Sequence, residues 1–537
     1  MFPILVLLLF LPPSSGTTIQ TLSSDCRIGQ KAECEKAIFV PGHSLLGQGV
    51  NIVTMEKTRS YLINMEEYIN PQETCKLCRN PHTNEWNKVP KSMVNWIPIN
   101  SYKASVISKT DDSVVSLAKE ESSSVQNDWS GGLSIKYKAL SYDTVVAGSN
   151  SKVTQFAESK SRTNKYKFIR QQVESSLYSF QVAGKYSLNS HFFDEVKNLP
   201  KTYNRSTEQR YMSFIQEFGT HYISKAEVGG RGMEVIAVKV CEVEMKGMDM
   251  EEVKSCLSFE SKASVEGNTS GSIQAKLKEC EQSAKKYNYG ASYHKSFNER
   301  FSKVIGGVAT FDLFKEGNVE QMNSWLATLK TQPDAVKYSL EPIHKLSHLP
   351  SPMKSGLGRA VADYINKNVL KKDCSCRGNS RRERGDCSCT CNVTTTETKD
   401  CCPKQAGAAR VQVTVQRAIN LYGDTWSQTD AYVKFIFGDT ARQTWIVHDN
   451  DNPIWNAVLD LGTQDLTEGK RYQIEVWDED DYYLTKRYQL LGKCEKQLAS
   501  GDSQEECYLD HGMVKYRIRA TCSSHLAGKY CETYQHN

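Results

Sequence analysis

The side chains best placed to do chemistry in this sequence are two acidic clusters near its carboxy-terminal end. The first is Tyr422-Gly-Asp424-Thr-Trp-Ser-Gln-Thr-Asp430-Ala-Tyr432; the second is Trp477-Asp478-Glu-Asp480-Asp481-Tyr-Tyr-Leu484. Asp478 and Asp480 are two apart, so on an extended segment they face the same way. Carboxylates gathered like this repel one another unless a hard cation neutralises them, and calcium takes ~6–8 oxygen ligands. The competing reading is a solvated acidic turn. Beside both clusters stand Tyr422, Trp426, Tyr482, Tyr483 and Leu484, side chains suited to a lipid interface once the charge is neutralised. Lys486 and Arg487 add attraction to anionic headgroups. Covalent catalysis finds no support. In Gly42-His-Ser44-Leu-Leu-Gly47 the second glycine, at 47, comes one place too late for a nucleophile elbow. No nucleophile, base and acid converge among the 11 histidines, so the chain is expected not to be an enzyme.

The cysteines carry a second chemistry. There are 18, an even number, in clusters. Cys26, Cys34, Cys75 and Cys78 form one group; Cys374, Cys376, Cys387, Cys389, Cys391, Cys401 and Cys402 form another. Cys494 with Cys507, and Cys522 with Cys531, make local pairs. The count closes if Cys241 reaches into the group of seven, with Cys402 a candidate, and Cys256 pairs with Cys280. Connectivity inside the clusters stays open. Zinc is disfavoured, because C-x-C spacing does not match zinc fingers. Disulfides imply an oxidising compartment. The apolar run Ile4-Leu-Val-Leu-Leu-Leu-Phe-Leu11 reads as a secretory signal, placed at 1–19. No later window is apolar enough to span a membrane as a helix. Asn204, Asn268 and Asn392 open sequons suited to glycans. The net charge of +5 is small for 537 residues and the basic side chains are scattered, which argues against nucleic acid as a partner.

The elements that must position these groups follow from periodicity. Val411–Val415, Ala431–Phe435 and Tyr472–Val476 alternate apolar with polar side chains, as strands of a β-sandwich over 408–522 do. Ahead of it, 371–407 is too small for a core and relies on disulfides. Between Gly306 and Leu370 the pattern reads as helical. Further upstream, Ser206-Thr-Glu-Gln209 reads as a capping box. It opens a helix whose apolar face is Tyr211, Phe214, Ile215 and Phe218. Gly219 stops that helix, and a strand resumes that Gly229, Gly230 and Gly232 allow to bend.

Two regions, 128–185 and 233–305, hold segments in which apolar and polar side chains alternate. Leu133–Ala139 and Tyr178–Val182 belong to the first; Leu257–Val265 and Ile273–Leu277 flank the turn Gly267–Gly271 in the second. Either is a half-buried hairpin of a soluble sheet, or is packed in water as short amphipathic helices. Doubled, they could also be membrane strands: two hairpins give four strands, too few to close a barrel, but many chains together could close one.

The pentapeptide Phe218-Gly-Thr-His-Tyr222, with Phe39-Val-Pro-Gly42, Tyr338–His344, Cys387-Ser-Cys-Thr-Cys391 and Cys401-Cys402-Pro403, resembles the membrane-attack-complex/perforin family. The bland alternative for Thr220 and His221 is a helix–strand junction with a satisfied core histidine. Asn450-Asp-Asn452-Pro-Ile-Trp455 and Val476-Trp-Asp478 resemble calcium-dependent C2 domains.

The resemblance implies an α+β fold: a bent antiparallel sheet flanked by helical clusters, a small disulfide-rich EGF-like shelf, then an all-β C2 sandwich. Its divisions are a signal peptide at 1–19, a pore-forming domain at 20–370, the EGF-like region at 371–407, the C2 domain at 408–522 and a tail at 523–537. It implies calcium held by Asp424, Asp430, Asp478 and Asp480, with the Gly423 carbonyl a weaker candidate. Family members usually have a further Asp before Leu-Leu-Gly; here that place is Gln489, and Asp481 is the candidate substitute. It further implies a secreted, granule-stored cytolysin of immune killing. Such a protein docks on target membranes, assembles with copies of itself into a ring, inserts two hairpins per subunit and works with co-delivered granule proteases. A glycan at Asn268, near a hairpin tip, would oppose crossing. Arg210 and Glu341 are candidates for subunit contacts. The alternatives are a calcium-dependent membrane-binding or adhesion protein that never inserts, and a secreted lipid hydrolase.

Overall fold

Long β-rich runs joined by amphipathic helical inserts fold into a large antiparallel sheet with helices on both faces, followed by a separate β-sandwich. The computed structural model describes residues 20–21, 25–101, 106–135, 147–267, 270–309, 314, 319–370, 376, 380–383, 387–394, 396–423, 427–467, 470–482 and 485–536. The expected signal segment 1–19 and the sequon residue Asn268 lie outside them. Near the amino terminus, β1 (Cys26–Gln30) pairs with β2 (Thr74–Arg79), and cystines Cys26–Cys78 and Cys34–Cys75 pin the unit together.

The large sheet is built on four runs. β3 (Met93–Ser101) and β4 (Ile107–Asp111) both pair with β5 (Tyr166–Val182). The insert between β4 and β5 carries α1 (Val114–Glu121) and α2 (Lys152–Ser161). After α3 (Glu208–Phe218) comes β6 (His221–Lys239), which pairs with β5 along most of its length. Its own insert carries α4 (Met250–Glu266) and α5 (Gly271–Lys286) and returns as β7 (Arg300–Ile305), again beside β6. α6 (Val319–Thr328) then leads to β8 (Asp334–Pro342), which takes over the β6 edge from His221 to Gly229, and α7 (Ser351–Asn368) closes the domain.

Several expectations are corrected here. The capping box at Ser206 does not form: its hydroxyl donates to Asn204 Oδ1 at 2.6 Å, and Thr207 becomes the N-cap without a side-chain bond. The 306–370 region is not wholly helical, since 334–342 is a strand. Tyr178–Val182 is not an arm of a separate hairpin but the end of β5 within the sheet. Leu257–Val265 and Ile273–Leu277 are helical, in α4 and α5, not paired strands. Val253, Leu257 and Val265 also recur at helical spacing and are buried, and each such burial is worth roughly 1.5–3 kcal/mol.

The two inserts cover opposite faces of the same end of the sheet. Val114, Leu117, Val153 and Ala157 pack on Phe168, Val235 and Ala237. Val253, Cys256, Leu257 and Cys280 pack with Ile169, Ile236 and Val238. Ile169 pairs with Ile236 and Phe168 with Ala237, so alternation along β5 and β6 separates the two faces.

The bend in β6 lies at Gly229. The ladder with β5 shifts register between Val228 and Gly229, and the ladder with β8 between Glu227 and Val228. A Cβ on Gly229 would lie 1.9 Å from Ser175 O, and one on Gly230 would lie 2.5 Å from Leu329 Cδ2. Gly219, at φ +83, ends α3 against the Val50 backbone.

Cys241–Cys402 ties the end of β6 to the disulfide-rich stretch, which also holds Cys376–Cys389 and Cys391–Cys401. Among the described residues no cysteine is free, which leaves no thiolate there for zinc.

The sandwich has two four-stranded sheets. Its strands are β9 (Ala408–Ile419), β10 (Ala431–Phe437), β11 (Thr440–Gln443), β12 (Ile454–Asp465), β13 (Arg471–Tyr482), β14 (Thr485–Gln497), β15 (Gly501–Tyr508) and β16 (Met513–Cys522). The order is β12-β9-β16-β15 in one sheet and β11-β10-β13-β14 in the other. Alternate residues such as Val411, Val413, Val433, Phe435, Ile474 and Val476 fill the core. Cys494–Cys507 and Cys522–Cys531 staple strand ends.

Candidate functional site

The β9–β10, β11–β12 and β13–β14 connections lie at one end of the sandwich, and the acidic residues gather there. Asp478, Glu479 and Asp480 belong to β13 itself and not to a loop, a correction to their expected position. Asp478 is buried, at 1% exposure. One of its oxygens accepts from the Asp430 N–H at 2.7 Å. The other carboxylate oxygen faces Gly423, where a Cβ would come within 1.7 Å of it, so only glycine lets the chain approach so closely. Asp430 accepts from Asp449 N–H at 2.7 Å and meets His448 Nδ1 at 3.0 Å. That bond, with the charge of Asp430, holds the His448 imidazole above its ordinary pKa. Asp451 accepts from both the amide and the hydroxyl of Thr429, shaping the first connection.

Gln489 stands opposite Asp478 in the β13–β14 ladder, and its amide donates to Gly423 O at 3.0 Å. The carbonyl offered as a weaker ligand is therefore already engaged. Asp480 stands opposite Arg487 and Asp481 opposite Lys486. Asp424, Trp426, Tyr483 and Leu484 lie outside the described residues, as do the side chains of Asp481 and Tyr482. Among the described residues no three His, Cys, Asp or Glu side chains gather for a metal. Asp478 beside the Gly423 cradle, with Asp430 joined to it through the Asp430 N–H, has the hard-oxygen chemistry calcium takes. Tyr422 is half exposed and rests on the His511 ring. His448 was not among the expected site residues; its only sequence signal is its place two residues before Asn450.

His221 is fully buried in the signature segment. Its Nε2–H donates to Trp129 O at 2.9 Å, and Nδ1 faces the Thr220 hydroxyl at 2.8 Å. Burial pushes its pKa down to about 3, so the ring is neutral at ordinary pH. Phe218 is buried against Phe192 and Phe214, and Tyr222 is buried on the first residues of β6. Gly232 sits in regular pairing with Val173 and Val304, so the bend belongs to Gly229. Asn204 and Asn392 are exposed. Arg210 pairs with Glu195 and Glu341 with Lys345 within the chain.

A bent antiparallel sheet with two helical inserts, followed by a two-sheet sandwich with an acidic end, defines the class. The MAC/Perforin domain model matches residues 39–374 and the C2 domain model residues 409–510. The chain belongs to the MAC/Perforin family. It is similar to Perforin-1 of Homo sapiens, 35% identical over 520 residues that cover 95% of this chain and 93% of that protein. Perforin-1 of Rattus norvegicus is 33% identical over 520 residues with the same coverage. Complement component C9 of Oncorhynchus mykiss is 24% identical over 417 residues, covering 68% of this chain and 70% of that protein.

Proposed function

We propose that this chain is a secreted, calcium-dependent, pore-forming cytolytic protein that docks through its C2 domain, assembles with copies of itself and inserts its two helical inserts as β-hairpins. The observation that carries the reading is topological. Each insert leaves one strand and re-enters its antiparallel neighbour: β4 and β5 for the first, β6 and β7 for the second. Both leave from the same end of the sheet, where Asp111 faces Phe168 and Lys239 faces Tyr166. Unfurling therefore extends existing ladders and needs no new register. The second insert has a further constraint. Cys256–Cys280 joins α4 to α5, and the two cysteines are equidistant from Asn268 in sequence. The same cystine can bridge a helical pair or a strand pair, and it brackets segments close to the ~9–11 residues a membrane strand needs.

Calcium is held by Asp430 and Asp478, with Asp424 and Asp480 completing the set; it neutralises the carboxylates and lets Tyr422, Trp426, Tyr482, Tyr483 and Leu484 enter the lipid interface. Bound calcium requires ionised aspartates, so docking fades as pH falls toward ~4. This suits storage in acidic secretory granules, with granule proteases as co-delivered partners. Dye release from liposomes, with calcium and with chelator, tests the function. Release only with calcium is expected; binding without release would select a docking protein that does not insert.

A further inference from the structure

Five charged side chains meet where both inserts leave the large sheet. Asp112 follows β4 and starts the first insert; Lys165 and Lys167 stand where that insert returns as β5. Glu244 ends the short helix Val240–Glu244 with which the second insert begins. Asp400 comes from the disulfide-rich stretch and is buried. Lys167 Nζ joins Asp400 Oδ2 at 2.8 Å and Asp112 Oδ1 at 3.3 Å. Lys165 Nζ donates to the carbonyl of Asp400 and, at 3.4 Å, to that of Cys389. Glu244 Oε2 accepts from the Thr398 hydroxyl at 2.5 Å, and the Glu244 carboxyl is hydrogen-bonded to that of Asp400. Val240 N–H donates to Lys165 O at 3.1 Å, and Cys241–Cys402 fixes the short helix covalently to the same stretch. Glu383, Glu397, Lys399, His525, Tyr534 and His536 line the cavity beside the cluster, and Glu242 is paired with Lys239 at 3.0 Å.

We propose that this cluster is a clasp, closed by a proton held between Glu244 and Asp400, that fastens the roots of both inserts to the disulfide-rich stretch until the proton leaves. Two carboxyls bond to each other only while one of them is protonated. With that proton in place, two carboxylates, Asp112 and Asp400, face the two lysines; without it three carboxylates face two lysines. Like charges in contact at a half-buried site push apart. Burial pushes Glu244 up to about 7, the Asp400 charge adding to the effect and the Thr398 bond opposing it. Against burial, the bond from Lys167 holds Asp400 below its usual value, so the proton resides on Glu244. A folded value above the ordinary 4.5 makes the clasp complete in acid and loses it as pH rises through 7. Unfurling carries the β5–β6 ladder past Tyr166 and Lys239, so Val240–Glu244 must straighten. It cannot straighten while Glu244 is bound to Thr398 and Asp400. Acid thus holds both inserts at their roots and neutral pH frees them, with no part for calcium or for the aspartates of the sandwich.

The inference rests on the proposed pore-forming function, but its first readout needs no membrane. Amide exchange of the full chain in calcium-free, lipid-free buffer, corrected for intrinsic rates, should show protection of 240–248 and 396–402 falling roughly 50-fold between pH 5 and pH 7.4. Glu244→Gln keeps a donor for Asp400 and an acceptor for Thr398 but has no proton to lose. It should stay protected at both pH values. It should also bind phosphatidylcholine vesicles in calcium as the parent does, and release dye about tenfold more slowly at pH 7.4. Thr398→Val leaves Glu244 intact and removes the donor that favours its ionised form, so the pH midpoint of loosening should rise by about one unit. Equal protection of the parent at both pH values overturns the clasp, as does a Glu244→Gln variant with the parent's pH slope or a Thr398→Val variant with the parent's midpoint. A parent that never releases dye, while Glu244→Gln abolishes the pH-dependent loosening, overturns the lytic reading and leaves the clasp standing.

Discussion

A single methyl group at Gly229 tests whether the bend in β6 is built by close backbone approach. In Gly229→Ala the new Cβ would sit 1.9 Å from Ser175 O, 2.8 Å from Ser175 C and 2.9 Å from Ser176 Cα. All three are backbone atoms, so no rotamer change relieves the clash. An ordinary carbon–oxygen contact is more than an ångström longer, so β5 and β6 must part at the point where their ladder already shifts register. Overpacking of this kind costs about 1–3 kcal/mol, and losing a flanking ladder bond adds about 1 kcal/mol. About 3 kcal/mol is a large share of a stability of ~5–15 kcal/mol, and lowers the melting temperature by roughly 5–10 °C. Gly184→Ala is the control. It has nothing within 4 Å of its would-be Cβ, and is expected to shift melting by a degree or two at most. Differential scanning calorimetry on the full chain reads both. Equal melting temperatures for the two variants would refute the close-approach argument and move the bend's origin elsewhere.

Other outcomes follow from the same geometry. Asp430→Asn should weaken calcium-dependent vesicle binding by roughly 10–100-fold, read by co-sedimentation across a calcium titration, because Asp430 is a proposed ligand joined through its own N–H to Asp478 at the Gly423 cradle. Gln489→Asp replaces the amide on Gly423 O with a carboxylate, and should lower the calcium concentration needed for the same binding. His221 has a folded pKa near 3, below its unfolded value of ~6.5, so its contribution is complete above pH 6.5 and is lost as pH falls toward 3, about 2 kcal/mol by pH 5. Burial pushes Glu244 up to about 7, which acts with the opposite sign. The measurement is therefore the difference in pH slope of stability between parent and His221→Gln, whose slope should be shallower below pH 6.5. Removing the Cys256–Cys280 cystine in C256S/C280S should destabilise the helical pair by about 3–4 kcal/mol from loop entropy, seen as faster amide exchange in α4 and α5. Lysis should persist; its complete loss would show that the cystine itself is needed in the inserted form.

Strands of the sandwich were legible because Val411–Val415 and Tyr472–Val476 keep a strict period of two with one face in a core, a purely local rule. Helix α3 was legible from its 3.6-residue apolar face, and Gly219 from the need for a positive φ. The start of α3 was not, because Ser206 found a nearer acceptor in Asn204. The acidic end of the sandwich was visible as composition. Whether a given carboxylate is buried or shared with His448, and whether the Gly423 carbonyl is taken by Gln489, depends on partners up to 66 residues away.

The chain order alone carries the strands of the sandwich, the apolar face of α3 with its stop at Gly219, and the even number of cysteines, since each is read from residue types and spacings along the chain. It carries two answers for 250–286, where an alternating and a helical pattern overlay the same residues. The sheet face formed by Ile169, Ile236 and Val238, and the cystine between α4 and α5, select the helical one here. Packing surfaces assembled from strands nearly 70 residues apart are what separate the two, and no local periodicity can encode them.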